Sequence, residues 1–437
     1  MLFSAQLTRL KSDIRSPLVQ NVFWLAFDKA LRIIIGLLVG IWVARYLGPA
    51  QWGKLNYILA IIGILIPLCN LGMDGFLVKS IVQNPQARNE LLGTAFVSRI
   101  AILPIAFGAA SLFLFASGAV FDDFLLFVLL SCNFLIAPFD LIDIEFQARL
   151  QSRLTVISKN TAYIIGAAGK IYLITSHKPL FWFAAIMGLE TLLSYAFLVF
   201  IYQKRYNLRD WKFSSAIVND FVRTCWPFVI SNVAIILYMR VDQLMIEQLS
   251  GTRELGLFSS VVRLSELFLF IPVAVCSSYM PTLINHQKEA NNAKFLSGIQ
   301  TLMNWMTRIS LGSAIVVSLF ADQIIHLLFG PEFNGASDVL IIYIWSIIPV
   351  YLGVAASQYL IIENLQKYSL FKTLSGLIMN IVLNLLLIPW YGAKGAAIAT
   401  VISYSVSAIL SNAFFNATRL VFRYQLDSFS MLFKVTK

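Results

Sequence analysis

The chain has 437 residues, 59% of them hydrophobic and only 13% charged, with 33 lysines and arginines against 22 carboxylates. A mean hydropathy of +0.77 excludes a soluble globular domain, in which about a quarter of residues carry charge. The net charge of +11 is therefore not read as a nucleic-acid surface, because the basic residues gather between long apolar runs.

The first residues are polar and basic, without the apolar stretch or small-residue cleavage site of a signal peptide. Apolar runs of spanning length then recur about twelve times, near 21–44, 54–77, 93–117, 121–144, 157–176, 180–202, 222–249, 257–282, 301–329, 338–361, 367–389 and 395–417. With the N-terminus inside, the cytoplasmic segments hold about 21 of the basic residues, Lys159 and Lys372 among them, and the outer loops about five. Both termini are thus expected in the cytoplasm, which requires an even number of helices.

The first run carries the most informative charges. Ile33 to Val43 is too short for a core that needs roughly twenty residues, so the helix is expected to start near Asn21. Trp24 and Trp42 then serve as interface anchors, and Arg32 lies about 12 Å inside the inner one. Asp28 and Arg32 are i,i+4, and Lys29 shares their arc. Ionised groups at that depth cost at least about 2.5–3.5 kcal/mol each, so they usually face a wet cavity or a partner. The cluster is either an intrahelical ion pair with Lys29 snorkelling or a cationic patch held by Asp28. Two cations against one carboxylate favour the patch, and hence an anionic cargo.

Gly48 and Gly53 follow the first run, and Gly251 and Gly256 follow the seventh at the same spacing. Tight turns with permissive backbone explain the glycines, and an internal duplication explains the repetition. The basic stretch 203–220 divides the chain into lobes 1–210 and 211–437, the second ending in a short cytoplasmic tail. The expected architecture is all-α and polytopic, about twelve transmembrane helices in two pseudo-symmetric six-helix lobes around a central cavity.

Further candidates follow in chain order. Asp74 suits a helix-end or gate contact near Gly72 and Gly75, and Arg99 is shallow enough to snorkel from the third helix. Asp140 and Asp143 read as a solvated edge. Lys170 and Glu190 lie close to the midplane of the fifth and sixth helices, as a structural pair or as a cavity cation and a titratable carboxylate. Gly166 to Lys170 is too tightly spaced for a nucleotide loop. On the seventh helix Arg240, Gln243 and Glu247 share a stripe, with Asp242 about 200° away from Arg240. Arg263 and Glu266 on the eighth could pair with each other or cross to the seventh. Pro67, Pro104, Pro138, Pro227, Pro272 and Pro349 are expected to permit bending. The four cysteines read as small core residues and the three histidines as solitary, so no metal site is expected.

Tyr238 through Ser260, with Arg240, Asp242, Gln243, Gly251, Glu254 and Gly256, resembles the seventh and eighth helices of the Wzx-type polysaccharide flippases. Ala44 through Gly53, Asn70-Leu71-Gly72-Met73-Asp74 and Tyr391 through Ala397 resemble the same family, part of the multidrug/oligosaccharidyl-lipid/polysaccharide exporter superfamily. The resemblance implies transfer of an undecaprenyl-pyrophosphate-linked oligosaccharide to the outer leaflet for surface polysaccharide biosynthesis. It also implies a place among the lipids of a bacterial inner membrane, and leaves room for a polysaccharide polymerase and a chain-length regulator as partners.

Such a diphosphate needs cations inside the membrane. Lys29, Arg32, Arg99, Lys170, Arg240 and Arg263 are the candidates, with Asp28, Asp74, Glu190, Asp242 and Glu266 as supporting or coupling carboxylates. No cofactor and no catalysis are expected; coupling could use a proton or another ion gradient, or the membrane potential acting on the cargo. A multidrug cation antiporter of the same superfamily would instead call for unpaired carboxylates. A membrane glycosyltransferase would call for a large outer loop, whereas the outer loops here are at most about twelve residues.

Overall fold

Helices supply all the regular structure of the computed structural model, which describes residues 17–289 and 292–430; no strand occurs among them. Nine segments are long and apolar enough to cross a membrane. Two of these, Phe23–Gln83 and Lys367–Ala413, each contain two long helices joined across a glycine, the first followed by the short helix Asp74–Gln83, and Ser152–Thr175 has spanning length but a more polar composition. The described residues therefore hold twelve spanning helices, and the protein is a multi-pass membrane protein of the expected class. Helices one and two occupy 17–47 and 49–70, helix three Arg88–Ala116 and helix four Phe121–Ala148. Helices five to eight are Ser152–Thr175, Leu180–Gln203, Ser215–Ser250 and Thr252–Lys288. Helices nine and ten are Asn292–Leu319 and Ala336–Ile362, and eleven and twelve occupy 367–391 and 393–408.

The glycine turns are reciprocal. Gly48 (φ 71°) and Gly251 (φ 87°) take the left-handed backbone that breaks each helix pair. A Cβ on Gly53 would fall on the carbonyl of Thr252, and one on Gly256 would fall on that of Pro49. Each turn's second glycine thus packs on the residue just after the other turn's first glycine. The described residues form two compact units, one of 17–43 with 58–233 and one of 44–57 with 234–430. The first turn accordingly sits in the unit built from the second half of the chain.

In the first unit, helices one and five run parallel. The Ser152 N–H donates to Asn21 Oδ1 at 2.9 Å and the Tyr163 hydroxyl to the Arg32 carbonyl at 3.3 Å, both with a sequence offset of 131. Between these rungs Arg153 stacks on the Trp24 ring at 5.2 Å. Gly166 and Gly169 let helix six approach: added Cβ atoms would strike the Glu190 carboxyl and the Ile186 side chain. Small residues of this kind are how membrane helices pack closely without a hydrophobic driving force.

In the second unit, Glu254 Oε2 accepts the Ala393 N–H at 2.9 Å, capping helix twelve where Gly392 (φ 53°) turns the chain. Helix eight tightens to a 3-10 stretch at Glu266–Leu269, just before Pro272. Pro272 has no N–H for the Phe268 carbonyl, and the Tyr351 hydroxyl takes that acceptor at 2.6 Å. Helix ten has a matching 3-10 stretch, Ile344–Ser346, ahead of Pro349. Helices three and seven run unbroken through Pro104 and Pro227. Within the expected short tail, Arg419–Ser430 is a packed helix. Its buried Gln425 donates to the Ala408 carbonyl at 2.9 Å, and Ser428 meets Thr307 at 2.7 Å. The last residues, 431–437, lie outside the described set.

Candidate functional site

Helices one, five and six bring together residues that are far apart in sequence. Arg32 Nε pairs with Asp28 Oδ1 at 2.9 Å, and Lys170 Nζ with Glu190 Oε2 at 2.7 Å. Both cations lie against the Tyr163 ring, the Arg32 guanidinium 5.3 Å and the Lys170 ammonium 5.8 Å from its centre. Tyr163 and Lys170 are i,i+7 on helix five, so one face presents both. Lys29, exposed one residue beyond Asp28, adds a third positive charge, and no carboxylate partner for it is seen among the described residues. The cluster holds Lys29, Arg32 and Lys170 against Asp28 and Glu190, an excess of one positive charge. Arg32 Nη2 is buried without a hydrogen-bond partner. A carboxylate or phosphate oxygen is the acceptor to which such a donor bonds most strongly.

The other first-unit charges are arranged differently from the sequence expectation. Arg99 does not snorkel: it is fully buried and its Nη2 binds Asp74 Oδ1 at 2.5 Å, with Nε and Nη1 unpartnered. Asp74 itself is exposed, and the nearby Gly72 packs against the backbone of Val229 on helix seven. Asp140 and Asp143 are not a solvated edge. They hold Lys159 at 2.6 and 3.4 Å beside the Tyr195 ring, so Lys159 belongs to helix five rather than to a loop. Lys372, also counted with the loops, is buried in helix eleven. Glu145, absent from the sequence candidates, is fully buried and ion-paired with Arg88 at 3.1 Å and Arg149 at 3.0 Å. The Tyr202 hydroxyl donates to it at 2.5 Å and receives the Trp211 indole N–H at 3.0 Å. That network ties the segment after helix six to helices three and four. The i,i+4 spacing of Glu145 and Arg149 was its one sequence signal.

In the second unit, Glu266 pairs across helices with Arg240 at 3.8 Å, and Arg263 is exposed on helix eight. Gln243 is buried beside Asp242, so the stripe drawn through Arg240, Gln243 and Glu247 is split between two environments. Asp242 is only 4% exposed. Its oxygens accept from Asn384 Nδ2 at 2.5 Å and the Thr400 hydroxyl at 2.9 Å, while Asn384 also donates to Asn380 at 2.9 Å. Asp28, Asp74, Glu190 and Glu266 each face a cation. Asp242 alone of the candidate carboxylates faces none among the described residues.

A family model described as polysaccharide biosynthesis protein matches residues 18–285, more than half of the chain and all of the helix one, five and six cluster. The chain belongs to the polysaccharide biosynthesis protein family. The MatE model also matches, over residues 227–386, which include Arg240, Asp242 and Glu266. Among curated proteins, the chain is 25% identical over 182 residues to "Probable low-salt glycan biosynthesis flippase Agl15" of Haloferax volcanii, covering 42% of this chain and 39% of that one. It is 23% identical over 185 residues to "Capsular polysaccharide biosynthesis protein CapF" of Staphylococcus aureus, covering 42% and 46%. The match thus spans less than half the length of these curated relatives.

Solved structures show the same fold along almost the whole chain. An inward-facing MATE family multidrug resistance transporter of the MOP superfamily superimposes with TM-score 0.71 at 16% identity, covering 95% of this chain and 100% of that one. The lipid II flippase MurJ, in an inward closed conformation, gives TM-score 0.71 at 16% identity, covering 94% and 92%. At this identity the likeness concerns the fold.

Proposed function

We propose that the protein flips a polyprenyl-diphosphate-linked oligosaccharide, carried on undecaprenol, from the cytoplasmic to the outer leaflet of the cytoplasmic membrane. Both termini lie in the cytoplasm, and access alternates between the two sides by movement of one lobe against the other. The observation that carries this reading is the excess positive charge of the helix one, five and six cluster, with Arg32 Nη2 left as an open donor at membrane depth. Arg32 offers the diphosphate a fork, Lys170 a point charge, and Tyr163 keeps the two cations apart without neutralising them. Asp28 and Glu190 hold the cations while no cargo is bound, and the diphosphate oxygens displace them. Flippase names among the relatives and the family model support the cargo class.

Asp242 takes the coupling role in this reading. A buried carboxylate with amide and hydroxyl donors but no cation suits a small ion taken from a gradient. It also marks the second reading, a multidrug cation antiporter, which the MatE match and the solved neighbours keep in view. The burial of Asp242 and the capture of its oxygens by Asn384 and Thr400 leave little room for a drug-sized cation, which favours the glycolipid.

Chromosomal deletion tests the reading. Loss of surface glycan, with lipid-linked oligosaccharide accumulating on the inner side, is the expected result. Unchanged glycan without accumulation sinks it.

A further inference from the structure

The two 3-10 stretches that precede Pro272 and Pro349 in helices eight and ten border a pocket of about 270 Å3 inside the second unit, between helices seven, eight, ten and twelve. Glu266 and Leu269 lie in one stretch and Ser346 in the other, so both breaks contribute to a wall that regular helix otherwise forms. A mid-helix 3-10 segment often marks a functional site. Here the freed Phe268 carbonyl is satisfied from outside the pocket by Tyr351. The break is therefore supported by its own hydrogen bond.

The lining is chemically mixed. Tyr238, Tyr343 and Tyr404 supply ring surfaces, with the Tyr238 and Tyr404 centroids 5.1 Å apart. Ser265 is 4% exposed, and its hydroxyl has no hydrogen-bond partner among the described residues. Glu266 adds a carboxylate, but Arg240 stands 3.8 Å from it, so the pocket carries no net charge.

These features discriminate among occupants. A lipid chain would leave the buried Ser265 hydroxyl and the Glu266 carboxylate unmatched, at the cost of burying polar groups without partners. A cation would find its counter-charge already taken by Arg240. A pyranose ring has apolar C–H faces for the tyrosines and hydroxyls that both donate and accept, matching Ser265 and Glu266. The volume lies just under the range of about 300–1,000 Å3 for drug-sized ligands, which suits one ring rather than a chain of them.

We propose that this second-lobe pocket binds one sugar residue of the cargo oligosaccharide, an inference that rests on the flippase reading above. Lipid recognition then falls to the first-lobe cations and sugar recognition to the tyrosine pocket. Sites built around hydrogen bonds to a substrate hydroxyl reject analogues that lack it, so the pocket would contribute selection for the finished repeat unit.

The test uses three probes on the full chain in nanodiscs: undecaprenyl diphosphate, the glycolipid that accumulates in cells deleted for the chain, and tetraphenylphosphonium as a bulky cation. Ser265→Ala and Glu266→Gln are expected to weaken glycolipid binding by about tenfold while undecaprenyl diphosphate binding stays unchanged. Retention of the diphosphate also reports that each variant is folded. Equal weakening of both probes, or of neither, overturns the sugar pocket while leaving the flippase reading intact. Loss of tetraphenylphosphonium binding with glycolipid binding preserved overturns it in favour of a cation. If no glycolipid accumulates, or the wild-type chain binds neither lipid, the flippase reading fails and the pocket assignment with it.

Discussion

Tyr163 holds two cations within about 6 Å of one ring centre, and its replacement separates attraction from geometry. Tyr163→Phe keeps the ring and loses only the 3.3 Å hydrogen bond to the Arg32 carbonyl; glycan export in a complementation assay is expected to fall by less than about threefold. Tyr163→Leu removes the ring, and a desolvated cation–π contact of about 2 kcal/mol corresponds to roughly a thirtyfold loss. Arg32→Ala and Lys170→Ala share that ring, so the double variant is expected to lose less than the sum of the two single losses. Additive losses in the same assay would show that the two cations act at separate sites. Asp242→Asn keeps the shape of the side chain and removes its charge. Proteoliposomes carrying it are expected to bind cargo normally and to lose the response to an imposed ion gradient; an unaltered response assigns Asp242 a structural role. Asp28 and Arg32 were legible in the sequence because an i,i+4 pair is local. Tyr163 was not, because a tyrosine in an apolar run carries no mark until its neighbours on helices one and six are known. Arg99 was read as snorkelling since its partner, Asp74, lies 25 residues away on another element.

At the scale of elements, the apolar runs revealed the helices because hydropathy is a property of composition and survives ignorance of packing. Their ends were less legible. Charge alone marks Lys159 and Lys372 as loop residues, whereas two carboxylates on helix four retain Lys159 within helix five. The prolines were visible in sequence, yet whether a proline bends its helix depends on what receives the freed carbonyl. Pro272 sits next to a 3-10 stretch and has Tyr351 to take that acceptor, while Pro104 and Pro227 lie in continuous helix. The glycines divide in the same way. A Cβ at Gly256 meets the Pro49 carbonyl, and one at Gly312 in helix nine meets nothing within 4 Å. Gly256→Ala is expected to destabilise by about 1–3 kcal/mol, and Gly312→Ala to stabilise by about 0.5–1 kcal/mol. Thermal unfolding of the two purified variants in one detergent measures the contrast, and similar melting temperatures would remove the reciprocal turn as a stabilising contact.

For the molecule as a whole, composition and loop charge led to the polytopic class, and the repeated glycine spacing pointed to duplication. Neither could show that residues 44–57 join the unit formed by 234–430, because that depends on Gly53 and Gly256 each accepting the other turn's backbone. The turn at Gly48 leaves the ribosome about 200 residues before its counterpart at Gly251, a delay of roughly 10–40 s at about 5–20 residues per second. During that interval the first hairpin has its helices but lacks the surface its turn packs on. A fragment ending before helix seven is therefore expected to be cut by protease within 44–57, and co-expression of the remaining chain is expected to protect it; equal cleavage with and without the second fragment refutes the dependence. The reciprocal glycines thus act as a checkpoint in biogenesis, since the first hairpin reaches its finished state only after helix seven and the turn that follows it have been synthesised.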